Sequence, residues 1–391
     1  MPPIPRAKPY DGPALFSYGF RPFFLGASLF AGLAVALWLP AYFGELTLPT
    51  AYPPLYWHIH EMIYGYGAAA VAGFTLTAVP NWTGRLPLSG RPLIALAAVW
   101  LAGRLAMAFS AWIGAIPAAA IDLAFLAALA FFIGRELRGG QSHNQKVVAA
   151  LAILWLGDLV FHVEVIVQGF ANYGERVGLA ALVMLISLIG GRIIPSFTRN
   201  WLARMNPGAL PAPPDRWDAA ALALGGLAFA GWIAAPGAAP VGALLIVAGL
   251  AHAARLARWR GWRAWRDRLV LVLHVAYAFV PIGFLLSGLA GLGLVAPSAG
   301  LHAWAVGAVG GMTVAVMSRA SLGHTGRALV AGPAAQTIYA LLLGAALARI
   351  CAALAPEHGF ALLHVAAFAW IAAYFGFAVA YWRVFAGPRA G

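Results

Sequence analysis

"YWHIHEMIYGYGAAAVAGFTLTAVPNWTGR", residues 56–85, decides the architecture. Its first turn carries His58, His60 and Glu61; from Met62 to Gly84 there is no charged side chain. An α-helix needs roughly 20 mostly apolar residues to cross the hydrocarbon core of a bilayer. The run over 57–80 meets that length, so ligand-type residues stand at the entrance of a membrane helix.

The rest of the chain repeats the pattern. Of 391 residues, 62% are hydrophobic and 9% charged, against about 25% charged in soluble domains. Such a composition cannot cover a water-facing surface, which excludes the soluble classes. Apolar runs predict twelve spans, near 20–43, 57–80, 92–110, 116–134, 147–170, 176–198, 217–235, 239–256, 268–292, 299–318, 329–354 and 360–385. The fold class read from this is an all-α, polytopic integral membrane protein forming one transmembrane domain over 1–391. The start, MPPIPRAKPYDGPALFSYGFRPFF, lacks the apolar core and small-residue site of a cleavable signal. The first membrane helix is expected to serve as the insertion signal.

The formal net charge of +13 invites a nucleic-acid reading. Placing the charges on the chain removes it. With both termini cytoplasmic, all of the 25 Lys and Arg except Arg104, Arg176 and Arg349 fall on the inner side. That distribution follows the positive-inside rule. The charge is therefore a topology signal and an attraction to the lipid bilayer, and no nucleic-acid partner is expected. The densest stretch, "RLARWRGWRAWRDR" (255–268), interleaves Arg with Trp, as in a helix lying on the inner membrane surface. The single cysteine, Cys351, excludes an intramolecular disulfide, an iron–sulfur cluster and a CxxCH haem attachment.

A four-helix period recurs. Helices 2, 6 and 10 end in "TAVPNWTGR", "RIIPSFTRNW" and "VMSRASLGHTGR", and helices 5 and 9 carry "LVFHVE" and "LVLHVA". The recurrence suggests three four-helix units, 18–140, 141–257 and 262–387.

Ionisable side chains within a bilayer cost about 2.5–3.5 kcal/mol each on insertion scales and are functional candidates by default. His58, His60 and Glu61 lie near the outer end of helix 2. On an ideal helix His58 shares a face with Glu61 and His60 with Tyr64, while His58 and His60 diverge. His302 opens helix 10 at a similar depth. Helix 5 brings His162 and Glu164 to its outer half, with Asp158 one turn below. His274 lies deeper, and His364 near the start of helix 12. Neutral imidazoles bind Fe, Cu or Zn, and haem takes one or two axial ligands. Gly65, Gly67, Gly73, Gly307, Gly310 and Gly311 would let a flat macrocycle approach the backbone. The plainer readings stand beside these. A lone membrane histidine is more often a packing residue than a ligand. Tyr56, Trp57 and Trp304 read as interfacial aromatics, Arg104 and Asp122 as a neutralising pair, His143 and His252 as inner-surface residues, and His358 as part of an outer loop.

"WHIHEMIYGYG", "VPNWTGR", "GGRIIPSFTRN", "LVLHVAYAF" and "HAWAVGAVGGMTVAVMSRASLGHTGR" resemble the NnrS family across helices 2 to 10. The resemblance implies a twelve-helix protein of the bacterial inner (cytoplasmic) membrane, containing haem and copper and associated with nitric oxide metabolism and tolerance. Its motifs include His58, His60, Glu61, His162, His274, His302 and His324. The reading that follows is a protein with haem b and copper that reduces NO to nitrous oxide at a His-ligated metal site in the outer half of the membrane. His60 and His302 are the candidate haem ligands. His58, His162, His274 and His324 are candidates for a second metal, and Glu61 and Glu164 for proton delivery. The electron donor would be a quinol or a cytochrome. Two rivals are a non-catalytic NO or metal binder serving nitrosative-stress tolerance and a membrane transporter.

Overall fold

A computed structural model describes residues 10–138 and 145–390. His143, Arg6 and Lys8, read above as inner-side residues, lie outside them. Among the described residues the chain is all-helical, with twelve helices long and apolar enough to cross a membrane. They are α1 Phe20–Tyr42, α2 Pro54–Thr83, α3 Arg91–Ala108, α4 Ala115–Arg138, α5 Lys146–Gln168 and α6 Tyr173–Met205. Next come α7 Arg216–Ala234, α8 Ala239–Arg258, α9 Arg268–Gly291, α10 Pro297–His324, α11 Pro333–Leu354 and α12 Pro356–Ala386. This is a multi-pass membrane protein: in lipid every backbone N–H and C=O must find its partner within the chain, and a helix does so locally.

The chain divides into two compact units. One comprises Met1–Gly178, Ser321–Arg327 and Phe377–Gly391, the other Leu179–Ala320 and Ala328–Gly376. The first is built on α1 to α5. Phe20, Phe23 and Phe24 of α1 are buried to about 1% exposure, and Gly73 of α2 admits the Phe24 ring where a Cβ would lie 2.5 Å from it. Buried Arg21 donates to the carbonyls of Phe385 and Gly387 at 2.8 and 2.7 Å. These are acceptors that the end of α12 leaves without intrahelical partners. The first unit's outward-facing positions stay apolar, as at Leu101, Ile116 and Val167, so they face lipid and blur any amphipathic stripe.

α2 and α10 each start at a proline, run one or two turns to a histidine, and then widen into a π-helix. The π segments are Glu61–Gly67 and Ala303–Gly310. A π turn displaces a carbonyl from the regular ladder and is common at functional sites. In the first unit Trp100 Nε1 donates to the Gly65 carbonyl at 3.0 Å. In the second, the Tyr374 hydroxyl donates to the Gly310 carbonyl at 3.2 Å.

The second unit is held by a buried polar knot. Arg255 of α8 donates to Asp218 at 2.8 Å, to the Ser187 carbonyl at 2.8 Å and to the Tyr277 hydroxyl at 2.9 Å. His252, expected at the inner surface, is instead fully buried, with Nδ1 3.0 Å from the Tyr277 hydroxyl. One turn of α8 separates it from Arg255, and both side chains face the knot. Gly191, the second glycine of the GGR motif, makes room for it: a Cβ there would lie 1.9 Å from Arg255 Nη2. Gly191→Ala is expected to destabilise the protein by about 1–3 kcal/mol through overpacking. A thermal melt of the purified variant reads this, and an unchanged midpoint would refute the packing argument. At the N-terminus of α7, Asp215 accepts from the backbone N–H groups of Trp217 and Asp218, and the hydrogen bond from Arg258 is the main cause holding its carboxyl down at about 2.

Candidate metal centre

Four helices and one loop of the first unit deliver seven polar side chains to one place. α2 brings His60 and Glu61, α3 Arg104, α4 Asp122, α5 Asp158 and His162, and the loop before α2 brings Tyr52. None exceeds 4% exposure. The close approach of α3 and α4 needs Gly103, where a Cβ would stand 2.7 Å from Asp122 Oδ1.

The two imidazoles are arranged alike. Each turns Nε2 toward the same pair of carboxylates and Nδ1 toward an outer oxygen. His60 Nε2 lies 3.0 Å from Asp158 Oδ1 and 3.2 Å from Asp122 Oδ2. His162 Nε2 lies 3.4 and 3.3 Å from the same two atoms. On the outer side, His60 Nδ1 is 2.9 Å from Glu61 Oε1, and His162 Nδ1 is 2.8 Å from the Tyr52 hydroxyl. Arg104 donates to Glu61 Oε2 at 2.5 Å and, through its other terminal nitrogen, to Asp122 Oδ1. Burial first, then the negative charges of Asp122, Asp158 and Glu61, pushes the Tyr52 phenol well above its ordinary value. It stays protonated, and its hydroxyl can donate to or accept from His162 Nδ1.

Two features of this cluster ask for a cation. Three carboxylates face one guanidinium, a net charge of −2 with both imidazoles neutral. Buried charge of that size requires compensation. Moreover, ionised carboxylates only accept hydrogen bonds, and a neutral imidazole has one N–H. His60 has carboxylate oxygens against both nitrogens, so a neutral ring leaves one nitrogen lone pair facing oxygen lone pairs. A second ring proton, or a metal ion between Nε2 and the carboxylates, removes that repulsion.

The donor geometry suits an ion. His60, Asp122, Asp158 and His162 each offer one ligand atom, all within 4.8 Å of one another. A tetrahedral ion with bonds of about 2.0–2.1 Å has ligand–ligand edges of about 3.3–3.4 Å. Four of the six ligand–ligand separations, the N–O ones, run from 3.0 to 3.4 Å, and all six lie within 4.8 Å. Two imidazoles with two carboxylates are borderline-hard donors suited to Fe, Zn or Cu(II).

The remaining candidates lie elsewhere. His58 stacks on Trp38 of α1, ring centroids 4.0 Å apart, facing away from His60 as the helical spacing requires. His324 packs against Tyr18 and Phe20 at 5.5 and 5.9 Å. Glu164 accepts from the backbone N–H groups of Asn172, Tyr173 and Gly174, each at 2.9 Å, and so caps the start of α6. His274 and His302 belong to the second unit. His274 Nε2 lies 2.9 Å from Thr198 Oγ1, and His302 Nδ1 lies 2.7 Å from the Ser298 carbonyl. Asp122 and Arg104 form the neutralising pair expected from the sequence, but Asp122 also turns its second oxygen to both imidazoles. The signals for Asp122 and Asp158 were their membrane depth and, for Asp158, its i, i+4 spacing to His162.

Haem fits this arrangement poorly. His60 Nε2 is closed in by Asp158 and Asp122 oxygens at 3.0 and 3.2 Å, which leaves no room for a macrocycle, and Gly65, Gly73, Gly307, Gly310 and Gly311 each face a neighbouring side chain. A Cβ at Gly65 would meet Arg104 and Phe30, at Gly307 Phe279, and at Gly310 Trp370, all within 2.9 Å.

The fold and this cluster define a class: a polytopic membrane protein with a buried His/Asp site able to hold a metal ion. The model of the NnrS protein family matches residues 14–389, nearly the whole chain, and the chain belongs to that family. The family is one of membrane proteins linked to nitric oxide metabolism. No curated protein matches the chain.

Proposed function

We propose that the protein, in the bacterial inner membrane, reduces nitric oxide to nitrous oxide at a metal ion held by His60, Asp122, Asp158 and His162. The convergence of these four donors, two imidazoles and two carboxylates, in one buried cluster carries the reading, and family membership supplies the substrate. The reaction is 2 NO + 2 H⁺ + 2 e⁻ → N₂O + H₂O. A bound copper or non-haem iron ion would supply a site that binds NO and accepts electrons from an external quinol or cytochrome.

The chain's own residues do the rest. Glu61 accepts the His60 Nδ1–H and leaves the Nε2 lone pair directed at the ion, an outer bond that raises ligand basicity and fixes the ring. Tyr52 does the same for His162. Arg104 clamps Glu61 and Asp122 together and offsets one of their charges. Glu61, beside the donor set but not one of its four members, is the carboxylate through which protons reach it. The buried setting excludes bulk water, while small, neutral NO partitions into lipid.

One observation favours a second reading. Four protein donors would fill the sphere of a four-coordinate ion, as in structural metal sites, which suits a non-catalytic NO or metal binder. Purified, metal-loaded, reduced protein given NO without oxygen separates the two. Reduction predicts one N₂O in the headspace for every two NO consumed. Headspace N₂O no higher than in a protein-free control would overturn the reductase and leave the binder.

A further inference from the structure

Three of the four donors are tethered from behind by a group outside the donor set. His60 is held by Glu61, His162 by Tyr52, and Asp122 by Arg104. Asp158 is different. Among the described residues its polar contacts run only to His60 Nε2 at 3.0 Å and His162 Nε2 at 3.4 Å. Those are the nitrogens that would bind the ion. Once their lone pairs are turned to a metal they have no proton to give, and the bond to the ion is all that holds the Asp158 carboxylate in place.

We propose that Asp158 is the exchangeable ligand of this site, and that its coordination position is where a small exogenous N-donor enters. This rests on the metal reading of the cluster and adds to it a defined point of entry. Such a position is what a closed four-donor site needs before it can bind NO. In the exchange one metal–carboxylate bond breaks and one metal–nitrogen bond forms; no electron moves, and Asp158 remains an anion. His162, one turn along α5, stays bound through its Tyr52 tether and keeps the displaced carboxylate within reach of the ion. The two imidazoles and Asp122 are left as a two-histidine, one-carboxylate set, a known frame for metals with open positions.

The test uses the full chain loaded with Cu(II) alone and azide as the small ligand. Wild type should bind one copper per chain. Asp158→Asn should still bind copper at saturating metal, with affinity lowered by no more than about 10–100-fold, and should bind azide at least about tenfold more tightly than wild type. Asp122→Asn, which removes a tethered donor, should lose the copper. In wild type itself, azide should bind without releasing copper, and its infrared difference spectrum should show one carboxylate leaving the metal. Equal azide affinity in wild type and Asp158→Asn overturns the proposal. So does Asp158→Asn losing copper while Asp122→Asn keeps it, or a wild-type spectrum without a carboxylate change. Wild-type protein that binds neither copper nor, in a parallel loading, iron or zinc overturns the metal reading itself, a distinct result.

Discussion

Arg104→Met is expected to abolish most of the folded protein. The guanidinium is 4% exposed and bonds both Glu61 and Asp122, themselves 0% and 2% exposed. Methionine matches the length of the stem but leaves two carboxylates facing each other without a counter-charge. Breaking one buried pair by removing a partner costs about 3–5 kcal/mol, and here two pairs are broken at once. Whole domains are stable by only about 5–15 kcal/mol. Size-exclusion chromatography and thermal melts of detergent-purified protein read the effect. Combining Arg104→Met with Glu61→Gln and Asp122→Asn removes the stranded charges and should recover most of the folded yield without recovering the metal. A single Arg104→Met variant that melts like wild type would show that the cluster's charge balance is not what holds α2, α3 and α4 together.

The second large effect is on metal content. His60→Ala and His162→Ala each delete a donor, so each should reduce bound metal per chain to background at concentrations that saturate wild type. The loss should exceed the about 10–100-fold that removal of an outer partner costs; Glu61→Gln and Tyr52→Phe are expected to fall in that milder range. His58→Ala and His324→Ala should retain the metal, because those rings pack against Trp38 and against Tyr18 and Phe20. Elemental analysis of the purified variants, with their folded fraction checked by chromatography, decides it. Full metal in His60→Ala would remove this cluster as the binding site.

Much of this protein is legible along one dimension. Twelve apolar runs become twelve helices because the bilayer permits few other backbones, and the solvent-free setting singles out every ionisable residue in a span as unusual. His60 and His162 are visible in this way, and so is the divergence of His58 from His60, which follows from helical spacing. The helix ends shift by a few residues, as for α6, which runs on to Met205, because apolar runs end where polar residues begin and helices do not.

What pattern reading could not supply is which polar residues meet. Arg104 and Asp122 look like a closed pair until Asp122 is seen to turn its second oxygen to both imidazoles, and Glu164, whose partners lie away from that cluster, accepts from the backbone N–H groups that open α6. The glycines of α2 and α10 read as room for a macrocycle, but neighbouring side chains fill that room, since a close-packed interior leaves few gaps.

The amino-acid sequence by itself determined that the chain is a polytopic helical membrane protein with ligand-type residues at the entrance of its second helix, because hydrophobic length and charge placement are local properties. Only the tertiary structure decided that His60 meets Asp158 and His162, some hundred residues away, and that Glu61 and Tyr52 stand behind the two imidazoles. Those meetings depend on how closely Gly103 lets α3 and α4 approach and on the π turn that re-aims α2 at Glu61. Both are consequences of packing between helices, which no periodicity along a single one records.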